Sequence, residues 1–295
     1  MGRPFLAAVL TGCVSVFATV APIGLSRQIT GSLTEHAVVP GDTLASLGSR
    51  AGVDAATLAA DNGLRPGSKL VAGRVLRIDN RHIVPTVAGV SVVINIPQRM
   101  LFVAEGVRAQ GFPVALGRPT WPTPTGPFSI LTKEIDPTWD VPMSIQHEME
   151  HQGRKPLIKV PPGPDNPLGD RWLGLSLPGV GIHGTNAPAS IYHHRTHGCI
   201  RLHPDDVRVV FDLVDVGAKG EILYQPLLLA VVDGRVYLES HRDVYGRFAK
   251  PLDLLRASAE HFQLTEVIDW HLAAAVIKES AGIARDVTAE LWLTN

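Results

Sequence analysis

The spacing of apolar side chains changes several times along the chain, and each change predicts a different element. Between residues 35 and 79 a short strand, HAVV at His36–Val39, meets the turn Pro40-Gly41-Asp42, and Leu44 and Leu47 then recur at helical spacing behind Asp42 or Thr43 as the cap. A second helix over 55–60 ends at Asn62-Gly63, where glycine supplies the left-handed residue that closes a helix. A strand over 75–78 completes a strand–helix–helix–strand module. Residues 80–88, broken by Pro85, read as a linker. Beyond it the period shortens to two: VSVVINIPQRMLFVAEG alternates on either side of Pro97-Gln98 and predicts a hairpin, FPVALG predicts a third strand, and GRPTWPTPTGPFSI a loop entering a fourth.

From Lys133 to Gly181 the periodicity fades, and eight prolines favour ordered loops over helices; loops of that length inside a compact domain usually carry function. A helix is expected over 205–216, with Val207, Val210, Phe211 and Val214 on one face. In the tail, Asp233-Gly234 between two apolar runs predicts a tight hairpin. Leu264, Val267, Ile268, Leu272 and Val276 predict an amphipathic helix over 264–285. Many short strands with a few helices make the expected class mainly β with some α.

Composition sharpens this only modestly. The 295 residues are 45% hydrophobic with a formal net charge of −1, enough apolar material for one large domain or two smaller ones and no basic stripe for nucleic acid. The start matters more. Residues 1–28 carry an early positive charge and then an apolar run without acids, which reads as an export signal peptide or an N-terminal anchor. LTGC at Leu10–Cys13 is like a lipoprotein cleavage box, although Cys13 also fits as a small apolar residue inside the signal. Either way the chain is expected in the periplasm or cell envelope.

That expectation changes the meaning of Cys199. The chain has two cysteines, and removal of a leader beyond residue 13 leaves one, which cannot form an internal disulfide. Exported proteins usually pair their cysteines, so a lone thiol points to chemistry. A nucleophilic cysteine needs a base and donors for an oxyanion. His183, sixteen residues upstream, is a candidate base; Gly198 permits a sharp turn that gathers backbone amides; Arg201 adds positive potential or takes a carboxylate. The rival reading is metal: His183, His193, His194, His197, Cys199 and His203 fall within 21 residues, but Gly and Pro argue against a helix there and no acid lies inside the cluster. His193 and His194 are expected to face solvent from a loop, and His203 to serve near a helix start.

Two resemblances complete the reading. V-x-x-G-D-T-L at the start of the 35–79 segment, D-N-G-L in its middle and K-L-x-x-G-x-x-L-x-I at its end resemble a LysM domain, which implies binding to glycan containing N-acetylglucosamine, in bacteria usually peptidoglycan. H-G-T-N at His183–Asn186 followed by T-H-G-C-I-R-L at Thr196–Leu202 is similar to the signature of the L,D-transpeptidase (YkuD-type) catalytic domain, with further likeness in VVINIPQRMLFV, TPTGPFSI, DPTWDVP and VPPGPDNPLG. VVDGRVYLESHRDVY resembles the C-terminal extension of periplasmic Gram-negative members. Thr196 stands where many members have Ser, and Tyr192-His193-His194-Arg195 replaces a usual Gly-containing segment.

The resemblance implies an organisation of signal or anchor at 1–28, LysM domain at 35–79, a β-rich catalytic domain at 88–225 and an extension at 226–295. It implies Cys199 as nucleophile, His183 as general base oriented by the Gly184 carbonyl, and backbone amides around His197, Gly198 and Cys199 as the oxyanion hole. Arg201, Trp139, Thr196 and Asn186 are the expected substrate contacts, and the acyl transfer requires neither metal nor cofactor. The implied partners are peptidoglycan and, as acceptor, another stem peptide or an outer-membrane lipoprotein or protein; hydrolysis by water and a non-catalytic wall-binding scaffold stand as alternatives.

Overall fold

The computed structural model describes residues 23–290 of the chain. Cys13 and most of the predicted leader lie outside that range. Residues 23–28, assigned to the leader from sequence, belong to the fold: β1 (Leu25–Ser26) pairs in parallel with Leu229–Ala230 far along the chain, and the Ile23 amide donates to Ser258 Oγ. Strand exceeds helix, 32% against 22%, in keeping with a mainly β class.

After β2 (Ile29–Thr30) comes the strand–helix–helix–strand module: β3 (Leu33–Ala37), α1 (Leu44–Ala51), α2 (Ala55–Asp61) and β4 (Val75–Asp79), with β3 and β4 antiparallel. Thr43 rather than Asp42 caps α1, in a reciprocal capping box with Ser46. Asp42 instead accepts from His36 and the Val39 amide, fixing the turn. Leu44, Val53, Leu58 and Ile78 form a small core that Ala281 and Ile283 from the end of the chain complete. The linker is not free. Its β5 (His82–Ile83) pairs with β2, and both residues are buried.

Next come β6 (Val92–Asn95), β7 (Met100–Glu105), β8 (Arg108–Gly117) and β9 (Gly126–Ile135), the four expected strands, of which β8 and β9 run longer than the sequence suggested. An excursion follows, carrying β10 (Trp139–Asp140), α3 (Met143–His151) and β11 (Lys159–Val160), and then β12 (Arg171–Leu175) and β13 (Gly181–His183). The expectation of loops throughout 133–181 is thus corrected. No proline interrupts 143–155, and α3 left no periodicity because it buries only Met149. The domain closes with β14 (His194–Thr196), β15 (Ile200–Leu202), α4 (Pro204–Leu213) and β16 (Lys219–Leu223). Nine strands form one sheet in the order β14-β8-β15-β13-β12-β9-β16-β6-β7, and β7 pairs back onto β8, so the sheet curls on itself around a core that includes Ile94, Leu101, Val114, Leu173, Ile182, Ile200 and Val207.

The extension is a second small sheet, β17 (Leu227–Val232) and β18 (Arg235–Ser240), backed by α5 (Pro251–His261) and α6 (Trp270–Glu279) and edged by β19 (Arg285–Asp286). Asp233 (φ 50°) and Gly234 (φ 74°) both sit in the left-handed region that a two-residue hairpin requires. The helix expected over 264–285 shrinks to α6, because the Asp269 carboxylate accepts from the amides of His271 and Leu272 and starts the helix there. Val267 and Ile268 are buried ahead of it in a turn, with Ile268 bridged to Thr288. Among the described residues, no helix is long and apolar enough to cross a membrane.

Candidate active site

Two short parallel strands carry the chemistry. β13 and β15 pair with Ile182 opposite Ile200 and His183 opposite Arg201. Ile182, Ile200 and Leu202 are fully buried in the core. Side chains alternate along a strand, so His183, Arg201 and, two residues before it, Cys199 project from the opposite face. The fifteen residues between His183 and Cys199 run out through β14 at the sheet edge before β15 returns beside β13, which brings residues distant in sequence onto adjacent strands.

Cys199 is half-buried at the mouth of this face, and its thiol donates to the Gly179 carbonyl at 3.6 Å. The resting thiol is therefore not hydrogen-bonded to His183. Burial pushes its pKa up, against opposing pulls from the backbone at Gly181 and the charge of Arg201. His183 is 4% exposed, with Nδ1 lying 2.7 Å from the Gly184 carbonyl oxygen. Burial, helped by the positive charge of Arg201 and opposed by the carbonyls of Gly184 and Leu168, lowers its pKa to about 3. At neutral pH the imidazole is therefore uncharged; Nδ1–H donates to Gly184, and Nε2 is left as the basic nitrogen. Both shifts favour a neutral thiol beside a neutral imidazole over a standing ion pair.

Trp172 was not foreseen from sequence. On β12 it lies opposite His183 and stacks on its ring, centroids 5.9 Å apart and planes 25° from parallel. Gly181 makes room for it, since a Cβ there would stand 2.2 Å from the indole. The alternation of RWLGL was the available signal, lost among the prolines on either side.

The turn before Cys199 is built around Gly198, whose φ of 107° suits only glycine. Thr196 is 2% exposed; its hydroxyl donates to the Cys199 carbonyl at 2.6 Å and accepts from the Gly198 amide at 3.2 Å. Two expectations change accordingly. Thr196 holds the turn rather than facing substrate, and the Gly198 amide is already engaged. No described residue accepts from the amides of His197 or Cys199, which leaves that pair as the candidate oxyanion donors.

Arg201 Nη1 donates to Ser190 Oγ at 2.9 Å, within the connection, while its charge acts on both Cys199 and His183. Asn186 is exposed, and its amide donates to the Asp165 carbonyl at 3.2 Å, tying the connection to the excursion. The exposed His197 does the same from the other side. Its Nε2 lies 2.6 Å from Glu148 Oε2 on α3, Arg118 donates to Glu148 Oε1 at 2.7 Å, and the His197 ring meets Trp121 edge-on at 4.3 Å. Arg118 first and His197 second hold the Glu148 carboxyl below its usual range. Glu148, Arg118 and Trp121 were legible only as loop residues. Trp139 lies half-buried in the β10–β11 ribbon, and no described hydrogen bond or ring contact joins it to Cys199, His183 or Arg201.

The histidines of the metal reading scatter. His194 is half-buried on β14 with Nε2 at 3.2 Å from the Ile96 carbonyl, and burial lowers its pKa to about 4, so it is only partly open to solvent where a solvent-facing loop was expected. His203 caps α4, accepting from the Asp205 amide. Among the described residues no three His, Cys, Asp or Glu side chains are grouped to hold a metal ion.

The family model of the L,D-transpeptidase catalytic domain matches residues 89–222, and that of the LysM domain matches residues 36–79. The probable L,D-transpeptidase ErfK/SrfK of Escherichia coli (strain K12) is 31% identical over 174 residues, covering 58% of this chain and 56% of the relative. The putative L,D-transpeptidase YqjB of Bacillus subtilis (strain 168) is 34% identical over 134 residues, 43% of this chain and 68% of the relative. Among solved structures, an L,D-transpeptidase from Mycobacterium smegmatis aligns with 68% of this chain and 99% of its own at 19% identity, with a TM-score of 0.37. The chain spans little more than half the length of its Escherichia coli relative. It belongs to the L,D-transpeptidase family, with a LysM domain ahead of the catalytic domain.

Proposed function

We propose that this chain is an L,D-transpeptidase of peptidoglycan, acting in the periplasm or cell envelope to which its leader directs it. The observation that carries the reading is the placement of a half-exposed thiol, a neutral buried imidazole and a guanidinium on one face of two adjacent parallel strands. In the first step Cys199 Sγ attacks the carbonyl carbon of the third residue, meso-diaminopimelate, in a tetrapeptide stem, and the thiol proton passes to His183 Nε2. The amides of His197 and Cys199 face the developing oxyanion. Collapse breaks the bond to the terminal D-alanine, whose amine leaves with the proton from His183, and a thioester remains on Cys199. In the second step an amine attacks the thioester and gives a proton to His183 Nε2; collapse forms the new amide, breaks the bond to sulfur, and His183 passes that proton to the departing Cys199 Sγ.

The resting thiol donates to Gly179, so attack begins with its turning toward His183; catalytic hydrogen bonds often tighten only when substrate is bound. The LysM domain raises the local concentration of stem peptides by holding the glycan strand. The acceptor amine decides the product. A disaccharide-tetrapeptide ending in diaminopimelate-D-alanine, incubated with the enzyme and read by mass spectrometry beside a Cys199→Ala control, is expected to give Cys199-dependent dimers linked diaminopimelate to diaminopimelate. Tripeptide alone indicates hydrolysis or the need for a protein lysine as acceptor. No Cys199-dependent product overturns the enzymatic reading in favour of a wall-binding scaffold.

A further inference from the structure

The LysM domain reaches toward the active site by a contact that neither its glycan-binding role nor its own folding requires. Asp54 precedes α2 in the capping position, yet its side chain caps nothing. Its two oxygens instead receive the two terminal nitrogens of Arg99, at 2.9 and 2.8 Å, a two-pronged charge-assisted contact across the boundary between domains. Arg99 sits at the tip of the β6–β7 turn with φ at 56°, and its carbonyl accepts from Val114 on β8, so the base of this arm is fixed in the sheet.

The same guanidinium grips the connection between His183 and Cys199. Arg99 Nη1 donates to the Tyr192 carbonyl at 3.1 Å, and its Cζ lies 3.9 Å from the centre of the Tyr192 ring. Tyr192 is 2% exposed and also left-handed, with φ at 62°, while its hydroxyl is buried without a partner. Two non-glycine residues in strained conformations facing each other are held only where their surroundings insist on it. Two residues before Tyr192 is Ser190, at the end of a single 3₁₀ turn (Pro188–Ser190), and Ser190 Oγ receives Arg201 Nη1. Arg201 is the strand partner of His183.

We infer that Asp54, Arg99 and Tyr192 are positioning residues that make the docked LysM domain part of the active-site scaffold: Asp54 aims Arg99, Arg99 clamps the connection at Tyr192, and the clamped connection keeps Ser190 on Arg201 beside His183 and Cys199. This rests on the transpeptidase reading and adds to it a catalytic contribution from the LysM domain that is separate from sugar binding.

The test uses the full chain and a free tetrapeptide stem without sugar, so that glycan binding plays no part. Asp54→Asn is expected to lower kcat by about 10- to 100-fold with KM little changed, as misplacement from outside the reacting centre does. It is also expected to move the pH profile of Cys199 alkylation by iodoacetamide to higher pH, because Arg201 no longer pulls on the thiol. Arg99→Lys, which keeps the charge and a donor for the Tyr192 carbonyl but loses the two-pronged grip, gives a smaller loss, whereas Asp54→Arg combined with Arg99→Asp restores neither, because an aspartate cannot donate to that carbonyl. A wild-type kcat and alkylation profile in Asp54→Asn, or in a folded Arg99→Lys should Asp54→Asn not fold, overturns the inference. Failure of the wild type itself to give any Cys199-dependent product would instead count against the transpeptidase reading, and the alkylation profiles still decide the coupling.

Discussion

His183→Gln is expected to slow acylation of Cys199 by about 10²- to 10⁴-fold, the usual contribution of a positioned general base. Glutamine keeps an amide donor near the Gly184 carbonyl but offers no basic nitrogen to take the thiol proton. The loss falls on kcat, because the thiol is held protonated by burial and cannot supply its own thiolate. Stability moves the other way. The folded pKa of His183 is about 3 against an ordinary 6.5, so above pH 6.5 the imidazole is neutral in both folded and unfolded chains and costs nothing. As pH falls from 6.5 toward 3 the unfolded chain takes up a proton that the folded chain refuses, and stability is lost by an amount on the order of 5 kcal/mol. His194, lowered to about 4, and His241, lowered by burial, add losses of the same sign. Urea unfolding at pH 7 and pH 4 checks this: the wild type weakens on acidification, and His183→Gln weakens less.

The largest expected loss of stability comes from Glu239→Ala. This carboxylate is fully buried at a junction of several described segments. Its Oε1 accepts from His82 Nδ1 and His241 Nε2, each at 2.8 Å, and from Gln98 Nε2 at 3.0 Å; its Oε2 accepts from the Ile83 amide. His82 Nε2 in turn lies 2.9 Å from the Gly52 carbonyl in the LysM domain. One side chain thus ties the extension, the linker, the catalytic sheet and the LysM domain. Although burial alone would raise it, the charge of His82 and the hydrogen bonds from His241 and His82 bring Glu239 down to about 2. Its stabilisation is complete above the ordinary carboxylate value of 4.5 and drains away as pH falls toward 2. Truncation to alanine strands several buried donors and is expected to cost about 3–5 kcal/mol in urea unfolding at pH 7. A loss under about 1 kcal/mol, the level of an exposed ion pair, would contradict a structural role for this junction.

Local signals in the sequence were strong where one residue type has one physical use. Thr43 capping, the Asn62-Gly63 helix end and the Asp233-Gly234 hairpin all follow from backbone rules, and the strands around Pro97-Gln98 from alternation. The placement of His183 and Cys199 at adjacent strands was legible through family resemblance and the length of their connection. What stayed hidden depended on partners far along the chain. Trp172 stacks on His183 across strands, Glu148 sits on a polar helix without periodicity, and His82 and Glu239 meet 157 residues apart. The linker and residues 23–28 read as separate because nothing local shows that a strand will find them. Thr196 looked like a substrate contact by its place in the motif; only its burial and its two bonds to the turn show otherwise.

The most direct test of the central claim is the mass of the enzyme caught during turnover. Tetrapeptide donor is mixed with the wild-type chain, the reaction is quenched in acid within the first turnovers, and intact protein and its peptides are weighed beside Cys199→Ala. The expected result is an adduct equal to the donor less D-alanine, on the peptide containing Cys199 and absent from the variant. Release of D-alanine with Cys199 unmodified, or at the same rate from Cys199→Ala, would contradict a thioester mechanism at this site.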